Sequence, residues 1–237
     1  MSAILSTLRQ GWELCADLFF PPHCLLCGTP LVRKEEACCT YCLNQLPLFD
    51  VDLAQEIMGQ RVSATLPIHQ GFAFYQFDKF NSTRKVVHAI KYDDFPSLGF
   101  RLGLWMGHRL LKTQLSEKPD VLVYVPMSYW KYKRRGYNQA AVMAEGISKA
   151  LQIPILQPCL KKGWANFVQA KSDKHTRRKN VLEVFSITKE GIENCKGKHV
   201  LLVDDIFTTG ATMERCGALL LEAGAKKVSL AVLAMTR

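Results

Sequence analysis

The chain lacks several features that would assign it to a membrane, secreted or P-loop class. No run of ~18 or more apolar residues occurs, so the sequence predicts no membrane span. The N-terminal segment does not follow the pattern of a secretory signal, because its basic residue, Arg9, comes late and polar residues such as Gln10 and Asp17 interrupt the apolar stretch. No Walker A loop (GxxxxGKS or GxxxxGKT) occurs either, which argues against a P-loop nucleotide site.

Composition and charge indicate a folded chain with some affinity for anions. Its 237 residues allow one large domain or a domain with a small module, and the apolar fraction of 48% is enough to bury a core. Lys and Arg number 31 against 21 Asp and Glu, a net charge of +10. Many basic residues cluster in segments 131–135 (KYKRR) and 171–179 (KSDKHTRRK). Clustering favours phosphate-bearing partners, although the excess charge alone would equally serve solubility.

Two CxxC pairs near the N-terminus predict a metal site: Cys24 with Cys27, and Cys39 with Cys42. Each turn directs two sulfurs at one ion, and two turns complete the closed tetrahedral set that structural Zn²⁺ prefers. A redox dithiol is the alternative, and Cys38 is either a spectator or a sign of shifted register. The odd total of nine cysteines, without an export signal, favours reduced thiols in the cytoplasm.

We expect two domains: residues 1–48, with an N-terminal helix and the zinc module, and residues 63–237. In the second domain, apolar strands alternate with amphipathic helices. Strands are predicted at residues 71–77, 121–125, 200–203 and 228–234, and helices at 82–91, 98–111, 138–151 and 213–223. This alternation is typical of an α/β fold with a parallel sheet covered on both faces.

Two polar segments, residues 126–138 and 204–212, follow predicted strands. Ligands of parallel sheets bind beyond the carboxyl ends of the strands. We therefore expect the two segments to face each other across one cleft.

The string VLLVDDIFTTGAT, residues 200–212, predicts a site for a ribose 5-phosphate. The turn that enters the next helix consists of Thr208, Thr209, Gly210, Ala211 and Thr212. Successive backbone N–H groups and the helix dipole favour an anion there, the threonines add hydroxyl donors, and the glycine permits a tight turn. The alternative is a purely structural role, in which the two aspartates cap the strand and the threonine-rich turn caps the helix.

Two adjacent carboxylates, Asp204 and Asp205, stand at the predicted strand end. Acceptors about one sugar away from a phosphate suit the vicinal hydroxyls of ribose. One of them would also stabilise positive charge at the anomeric carbon if a glycosidic bond forms or breaks.

Segment 126–138 mixes basic and aromatic side chains. Arg134 and Arg135 could clamp pyrophosphate oxygens through bidentate contacts. Alternatively, the aromatic residues could stack on single-stranded nucleic acid while the cations contact its phosphates. A third alternative is an exposed loop that covers a hydrophobic edge. Lys91, at the end of a predicted helix, is either another anion-binding cation or a helix C-terminal cation.

Several short motifs together resemble those of one known family. They are residues 21–24 (PPHC) with the CxxC pairs, 90–92 (IKY), 134–139 (RRGYNQ), and 177–181 (RRKNV) with Phe185. With the string at 200–212, they make essentially the whole chain similar to the ComF family of competence-associated, type I phosphoribosyltransferase-like proteins.

The resemblance implies a type I phosphoribosyltransferase fold, with a parallel sheet, flanking helices and a small hood, preceded by a small zinc-binding module. It implies that Asp204, Asp205 and the turn at 208–212 bind phosphoribosyl pyrophosphate with Mg²⁺, and it places Met127 and Ser128 in the loop that wraps the pyrophosphate. It further implies a cytoplasmic protein that helps to bring in single-stranded DNA during natural transformation. In a DNA-processing factor of this kind, the zinc module would dock a partner such as a DNA-translocation ATPase or another DNA-processing protein.

Three features depart from the family pattern. Tyr137 replaces the usual Phe, and the stretch around Gln169, in the hood, is atypical. Thr208 stands where relatives that use 6-oxopurines carry an acid, which disfavours hypoxanthine or guanine salvage. We therefore predict a DNA-uptake factor that retains a phosphoribosyl pyrophosphate pocket. The alternative is an active phosphoribosyltransferase of nucleotide metabolism with an unidentified acceptor, in which Asp204 or Asp205 is catalytic.

Overall fold

The computed structural model describes residues 21–32, 35–62, 66–78, 82–113, 117–163 and 185–237. The chain divides into two compact units, Met1–Leu46 and Pro47–Arg237. The predicted N-terminal helix, the basic segment 171–179, the motif at 177–181 and Gln169 lie outside the described residues. No helix of the described segments has the length and hydropathy needed to cross a membrane.

Helices and strands alternate in the larger unit, as the sequence predicts. The smaller unit contributes helix α1 (Thr40–Asn44). The larger unit contributes α2 (Val51–Val62), β1 (Gly71–Gln76), α3 (Ser82–Tyr92), α4 (Pro96–Lys112), β2 (Val121–Tyr124), α5 (Tyr129–Arg135), α6 (Gln139–Leu151), β3 (Leu160–Lys162), β4 (Phe185–Ile187), α7 (Lys189–Cys195), β5 (His199–Phe207), α8 (Ala211–Glu222) and β6 (Lys227–Met235). All eight predicted elements are present, while α2, α5, α7, β3 and β4 lie in segments to which the sequence analysis assigned no helix or strand.

Four parallel strands form the main sheet, in the order β1-β6-β5-β2. Their apolar residues form the core: the stretch from Val200 to Val203 is fully buried, and Leu202 pairs with Leu230 on β6. The prediction of a parallel sheet is confirmed. All four carboxyl ends therefore meet at one edge, where ligands of such sheets bind.

Helices α4 and α6 pack with their backbones almost in contact. A methyl group at Gly103 would lie 2.2 Å from the carbonyl oxygen of Met143, and one at Gly146 would lie 2.3 Å from that of Phe100. Only glycine leaves room for this approach. The contact fixes α6, which begins directly after the polar segment 126–138.

A small antiparallel pair, β3 with β4, lies apart from the main sheet. Thr188 follows β4 and caps α7, because its Oγ1 accepts a hydrogen bond of 2.8 Å from the backbone N–H of Gly191. Lys162, the last residue of β3, is close enough to Asp204 of β5 for the two charges to influence each other.

Candidate ribose-phosphate site

Strand β5 runs beyond the end that the sequence analysis assigned to it. The predicted strand stops at Val203, but pairing with β6 continues through Asp204, opposite Val232, to Phe207, opposite Met235. The two acidic residues therefore lie within a strand and not after it. Since consecutive side chains of a strand point to opposite faces, Asp204 and Asp205 serve different surroundings.

Asp205 forms an ion pair with Lys91, the penultimate residue of α3. The Lys91 Nζ lies 2.8 Å from Asp205 Oδ2, and the two side chains are only 20% and 17% exposed. The sequence predicts Lys91 as an anion-binding or helix-terminal cation and gives no sign of this pairing. The pair joins the end of α3 to the carboxyl edge of the sheet.

Asp204 is a carboxyl group that changes its charge near neutral pH. Burial and the negative charge of Asp205 raise the pKa of Asp204 from 3.8 to about 7, against the opposing effects of the Asp205 N–H, Lys91 and Lys162. The Asp205 backbone N–H donates a hydrogen bond of 2.8 Å to Asp204 Oδ1. A carboxyl with this pKa can accept hydrogen bonds from hydroxyl groups or take up a proton.

The turn between β5 and α8 has the backbone that the sequence predicts for an anion site. Gly210 adopts φ +83°, and a methyl group there would lie 2.8 Å from Val62 Cγ1 and 2.9 Å from Phe207 Cζ. Thr208 and Thr209 are exposed, whereas Ala211 and Thr212 are half-buried in the first turn of α8. The N–H groups of a first helical turn lack intrahelical acceptors and are available to an anion.

The side chain of Arg61, in the last turn of α2, binds the backbone of this turn. Its Nη1 donates hydrogen bonds of 2.6 Å to the carbonyl oxygen of Thr208 and 3.1 Å to that of Thr236. Arg61 could not be found from the sequence, because nothing in the local pattern links residues so far apart in the chain.

The sequence predicts a polar loop at residues 126–138. The structure corrects this prediction, because the segment contains the short helix α5. Asn138 caps α6: its Oδ1 accepts a 3.0 Å hydrogen bond from the Ala140 N–H, and its Nδ2 donates one of 3.0 Å to the Val125 carbonyl oxygen. The Tyr137 hydroxyl donates to the carbonyl oxygen of Ile90, at the end of α3. The departure from Phe at position 137 therefore adds a tie between this segment and the helix that carries Lys91.

The remaining predicted residues of this segment have different surroundings. Met127 and Ser128 are half-buried and directly precede α5, while Arg134 is exposed. The Arg135 guanidinium lies 4.8 Å from the ring centroid of Tyr92, a cation–π arrangement. The structure thus brings Arg135 to the end of α3, against the Tyr92 ring.

A cavity of about 550 Å³ opens beyond the carboxyl end of β2. Among its lining residues are Tyr124, Tyr129, Tyr132, Tyr137, Met127, Glu145, Lys161 and Lys162. Burial and the neighbouring Lys131 lower the pKa of Lys162, while Asp204 acts in the opposite direction. The acceptor stays unidentified from the sequence alone, and Lys162 gives no sequence signal because the short strand that carries it is not periodic.

The smaller unit brings the two CxxC pairs together. The four sulfurs of Cys24, Cys27, Cys39 and Cys42 all lie within 4.8 Å of one another, with Cys27 Sγ 3.8 Å from Cys39 Sγ. A tetrahedron with Zn–S distances of about 2.3 Å has corners about 3.8 Å apart, so the spacing fits zinc. Backbone N–H groups support the sulfurs, with Cys39 N 3.3 Å from Cys24 Sγ and Cys42 N 3.4 Å from Cys39 Sγ.

The model of the phosphoribosyl transferase domain family matches residues 114–237, and the chain belongs to this family. Its architecture is the type I phosphoribosyltransferase fold, with a parallel sheet and flanking helices, and a cluster of four cysteines precedes it. The expected fold class is confirmed.

Relatives extend the likeness to most of the chain. Competence protein F of Haemophilus influenzae is 27% identical over 88% of this chain and 82% of its own. Competence protein ComFC of Bacillus subtilis is 24% identical over 85% of this chain and 72% of its own. DNA utilization protein YhgH of Escherichia coli K12 is 27% identical over 64% of this chain and 66% of its own. The recognition of the ComF family from the sequence is thereby confirmed.

Among solved structures, a glutamine phosphoribosylpyrophosphate amidotransferase from B. subtilis is similar at a TM-score of 0.42 and 21% identity, covering 62% of this chain and 30% of that one.

Proposed function

We propose that this protein is a DNA-uptake factor that binds phosphoribosyl pyrophosphate with Mg²⁺ and acts in the cytoplasm, on or near incoming single-stranded DNA. The arrangement at the end of β5 carries the proposal: a half-buried ion pair, a carboxyl group with a raised pKa and a glycine-bearing turn that begins a helix. The names of the relatives, which refer to competence and DNA utilization, support the biological part.

In this proposal the turn at 208–212 binds the 5′-phosphate, through the N–H groups of the first turn of α8 and the threonine hydroxyls. Asp204 and Asp205 accept hydrogen bonds from the ribose hydroxyls. Met127 and Ser128 lie along the pyrophosphate, and Arg134 and Arg135 supply positive charge beside it.

The surroundings also fit Mg²⁺. This ion prefers carboxylate, phosphate and water oxygens, and it keeps several of its own waters. Here it would be held mainly by the pyrophosphate oxygens and water, and it would neutralise negative charge on the ligand. The nearby carboxylates are compatible with that arrangement, while Lys91 keeps Asp205 from adding an uncompensated charge.

Calorimetry with phosphoribosyl pyrophosphate and Mg²⁺ tests the pocket. The wild-type protein should bind, and the double variant Asp204→Asn/Asp205→Asn should lose at least about tenfold in affinity, about 1.4 kcal/mol, because charge-assisted hydrogen bonds are removed. The control variant Asp52→Ala changes an exposed carboxylate of α2 and should bind as the wild type does. No binding by the wild type, or equal binding by the double variant, would sink the pocket assignment.

Helix α5 supports contact with single-stranded DNA. Tyr129, Trp130 and Tyr132 are 53%, 68% and 48% exposed, and Lys131 and Lys133 are interleaved with them. Exposed aromatic rings beside cations stack on bases and contact phosphates, so the binding constant should fall steeply with salt.

Trp130→Ala should weaken binding of a single-stranded oligonucleotide by about 1–3 kcal/mol, the worth of one stacked base. Leu111→Ala is the control, because Leu111 is 54% exposed on α4, outside the aromatic helix. Fluorescence anisotropy across a salt series measures both. A salt slope near zero, or equal losses in the two variants, would rule out this contact.

The four-cysteine cluster is proposed to hold a structural Zn²⁺ and to make the smaller unit a docking module. Leu25, Val32 and Tyr41 of that unit are 44%, 67% and 73% exposed, and large exposed apolar side chains are typical of protein interfaces. A DNA-translocation ATPase or another DNA-processing protein is the partner class that we propose.

One observation favours a second candidate, an active phosphoribosyltransferase of nucleotide metabolism. The tyrosine-lined cavity has room for a planar acceptor, and Asp204 could then stabilise the oxocarbenium-like transition state. The test is release of pyrophosphate from phosphoribosyl pyrophosphate in the presence of free bases or nucleosides. Release by the wild type that is lost in Asp204→Asn would establish this activity. Its absence across a panel of acceptors would leave the binding function alone.

A further inference from the structure

Three potential metal ligands meet at the amino edge of the sheet, opposite the ribose-phosphate site. They are His69, ahead of β1, Glu117, ahead of β2, and His199, the first residue of β5. One donor atom from each lies within 4.8 Å of the others. The two imidazole rings are 5.0 Å apart between centroids, at an interplanar angle of 88°.

One ring nitrogen of His199 has a hydrogen-bond partner and the other has none among the described residues. The residue is only 1% exposed, and its Nε2 lies 2.8 Å from the Ser229 hydroxyl oxygen. Its Nδ1 is buried without a hydrogen-bond partner in the part of the chain that the structure describes. When Nε2–H donates to Ser229, Nδ1 carries a lone pair. A metal-binding histidine usually donates a hydrogen bond from its other ring nitrogen in this way.

The backbone around the cluster is held by the sheet. The His69 N–H donates to the carbonyl oxygen of Val228 at 2.8 Å, and the His199 N–H donates to Asp120 Oδ2 at 2.7 Å. The backbones of His69 and His199 are tied in this way and keep their positions when no ion is bound, which lowers the ordering cost of binding.

Glu117 completes the set from the surface. Lys227, the first residue of β6, contacts its Oε2. A carboxylate has two oxygens and about four lone-pair sites, so one oxygen can keep the lysine while the other faces an ion.

We propose that His69, Glu117 and His199 form a second metal site, which takes Zn²⁺ through two imidazole nitrogens and one carboxylate oxygen. This donor set is one that zinc adopts with three protein ligands, and it leaves a fourth position for water. The site is independent of the four cysteines and of the ribose-phosphate pocket, so it stands or falls without either.

Metal titration of the full chain tests the proposal. Protein prepared with one zinc on the cysteines should take up a second equivalent of Zn²⁺ in calorimetry. Glu117→Gln and His69→Asn should each weaken this second equivalent about tenfold or more, as loss of a ligand does. The matched control is Glu193→Gln, an exposed glutamate of α7, which should bind as the wild type does.

Two further measurements separate a metal site from a structural ion-pair cluster. Lys227→Met removes the competing cation and should leave the second Zn²⁺ bound at least as tightly as in the wild type. With Co²⁺ as the probe, only the thiolate site should give intense near-ultraviolet charge-transfer absorption, so the second equivalent should bind without adding to that band. A single equivalent in the wild type, unchanged affinity in Glu117→Gln and His69→Asn, or loss of binding in Lys227→Met would each overturn the proposal.

Discussion

At the scale of single residues, neighbouring positions of β5 differ sharply in what surrounds them. Asp205 forms an ion pair with Lys91, whereas burial and the negative charge of Asp205 raise the pKa of Asp204 to about 7. A carboxyl group with a raised pKa binds a proton in the folded state over a pH range in which the unfolded chain has released it. The folded protein therefore loses stability through Asp204 as pH rises from about 4 to about 7.

Asp204→Asn should remove this part of the pH dependence. The free energy of unfolding of the variant, relative to that of the wild type, should increase between pH 5 and pH 8. The reason is that the variant has no carboxylate at position 204 that must ionise in a buried position beside Asp205. Urea unfolding at several pH values measures the difference between the two proteins. A difference that stays constant with pH would contradict the raised pKa.

Gly210→Ala should cost stability where another glycine does not. The left-handed backbone at Gly210 costs an alanine about 1–2 kcal/mol, and its methyl group would press on Val62 and Phe207. Gly59→Ala is the control: it lies within α2 with nothing within 4 Å of the added methyl group, and it should gain about 0.5–1 kcal/mol. Thermal unfolding compares the two, and ligand calorimetry should show weaker phosphoribosyl pyrophosphate binding in Gly210→Ala only.

At the scale of elements, the turn at 208–212 is bound by a helix that is distant in sequence. Arg61→Met should lower the affinity for phosphoribosyl pyrophosphate and cost about 1 kcal/mol of stability, since two hydrogen bonds to backbone carbonyl oxygens are lost. Lys85→Met, at an exposed cation of α3, should change neither quantity. Equal effects in the two variants would mean that Arg61 does not organise the turn.

Elements with strong periodicity were predictable from the sequence, and short or context-dependent ones were not. The helix at 138–151, with its Asn138 cap, and the apolar strand at 121–125 carry their own signals. The end of β5 does not, because only pairing with β6 keeps Asp204 to Phe207 extended. Strands of three residues such as β3 have too few positions to show a period, so Lys162 was missed.

At the scale of the whole molecule, contacts between distant parts of the chain could not be predicted from the sequence. The CxxC spacing indicated which cysteines would meet, since each pair is local in sequence. Lys91 with Asp205, Arg61 with Thr208, and His69 with His199 join residues from different elements, and only the tertiary structure brings them together.

Zinc content should depend on Cys42 but not on Cys38. Cys42→Ser should lower the zinc content by one equivalent per chain and expose the segment before Leu46 to proteolysis, because a small module relies on its metal for most of its folding free energy. Cys38→Ala should keep that zinc, since Cys38 is not a member of the four-sulfur cluster. Metal analysis with limited proteolysis measures both effects. Equal zinc loss in the two variants would mean that the choice of Cys42 and not Cys38 as a ligand is wrong.

The glycine contact between α4 and α6 affects how tolerance to mutation should be interpreted in this protein. In a saturation-mutagenesis survey, Gly103 and Gly146 should reject every substitution as firmly as positions that touch a ligand, because even one added methyl group meets a backbone carbonyl. The residue at each of these two positions would then vary as little among tolerated sequences as the residue at Asp204 or Gly210. A map of the protein drawn from intolerance alone would mark this helix pair as a second binding site, where the actual constraint is the closeness of two backbones.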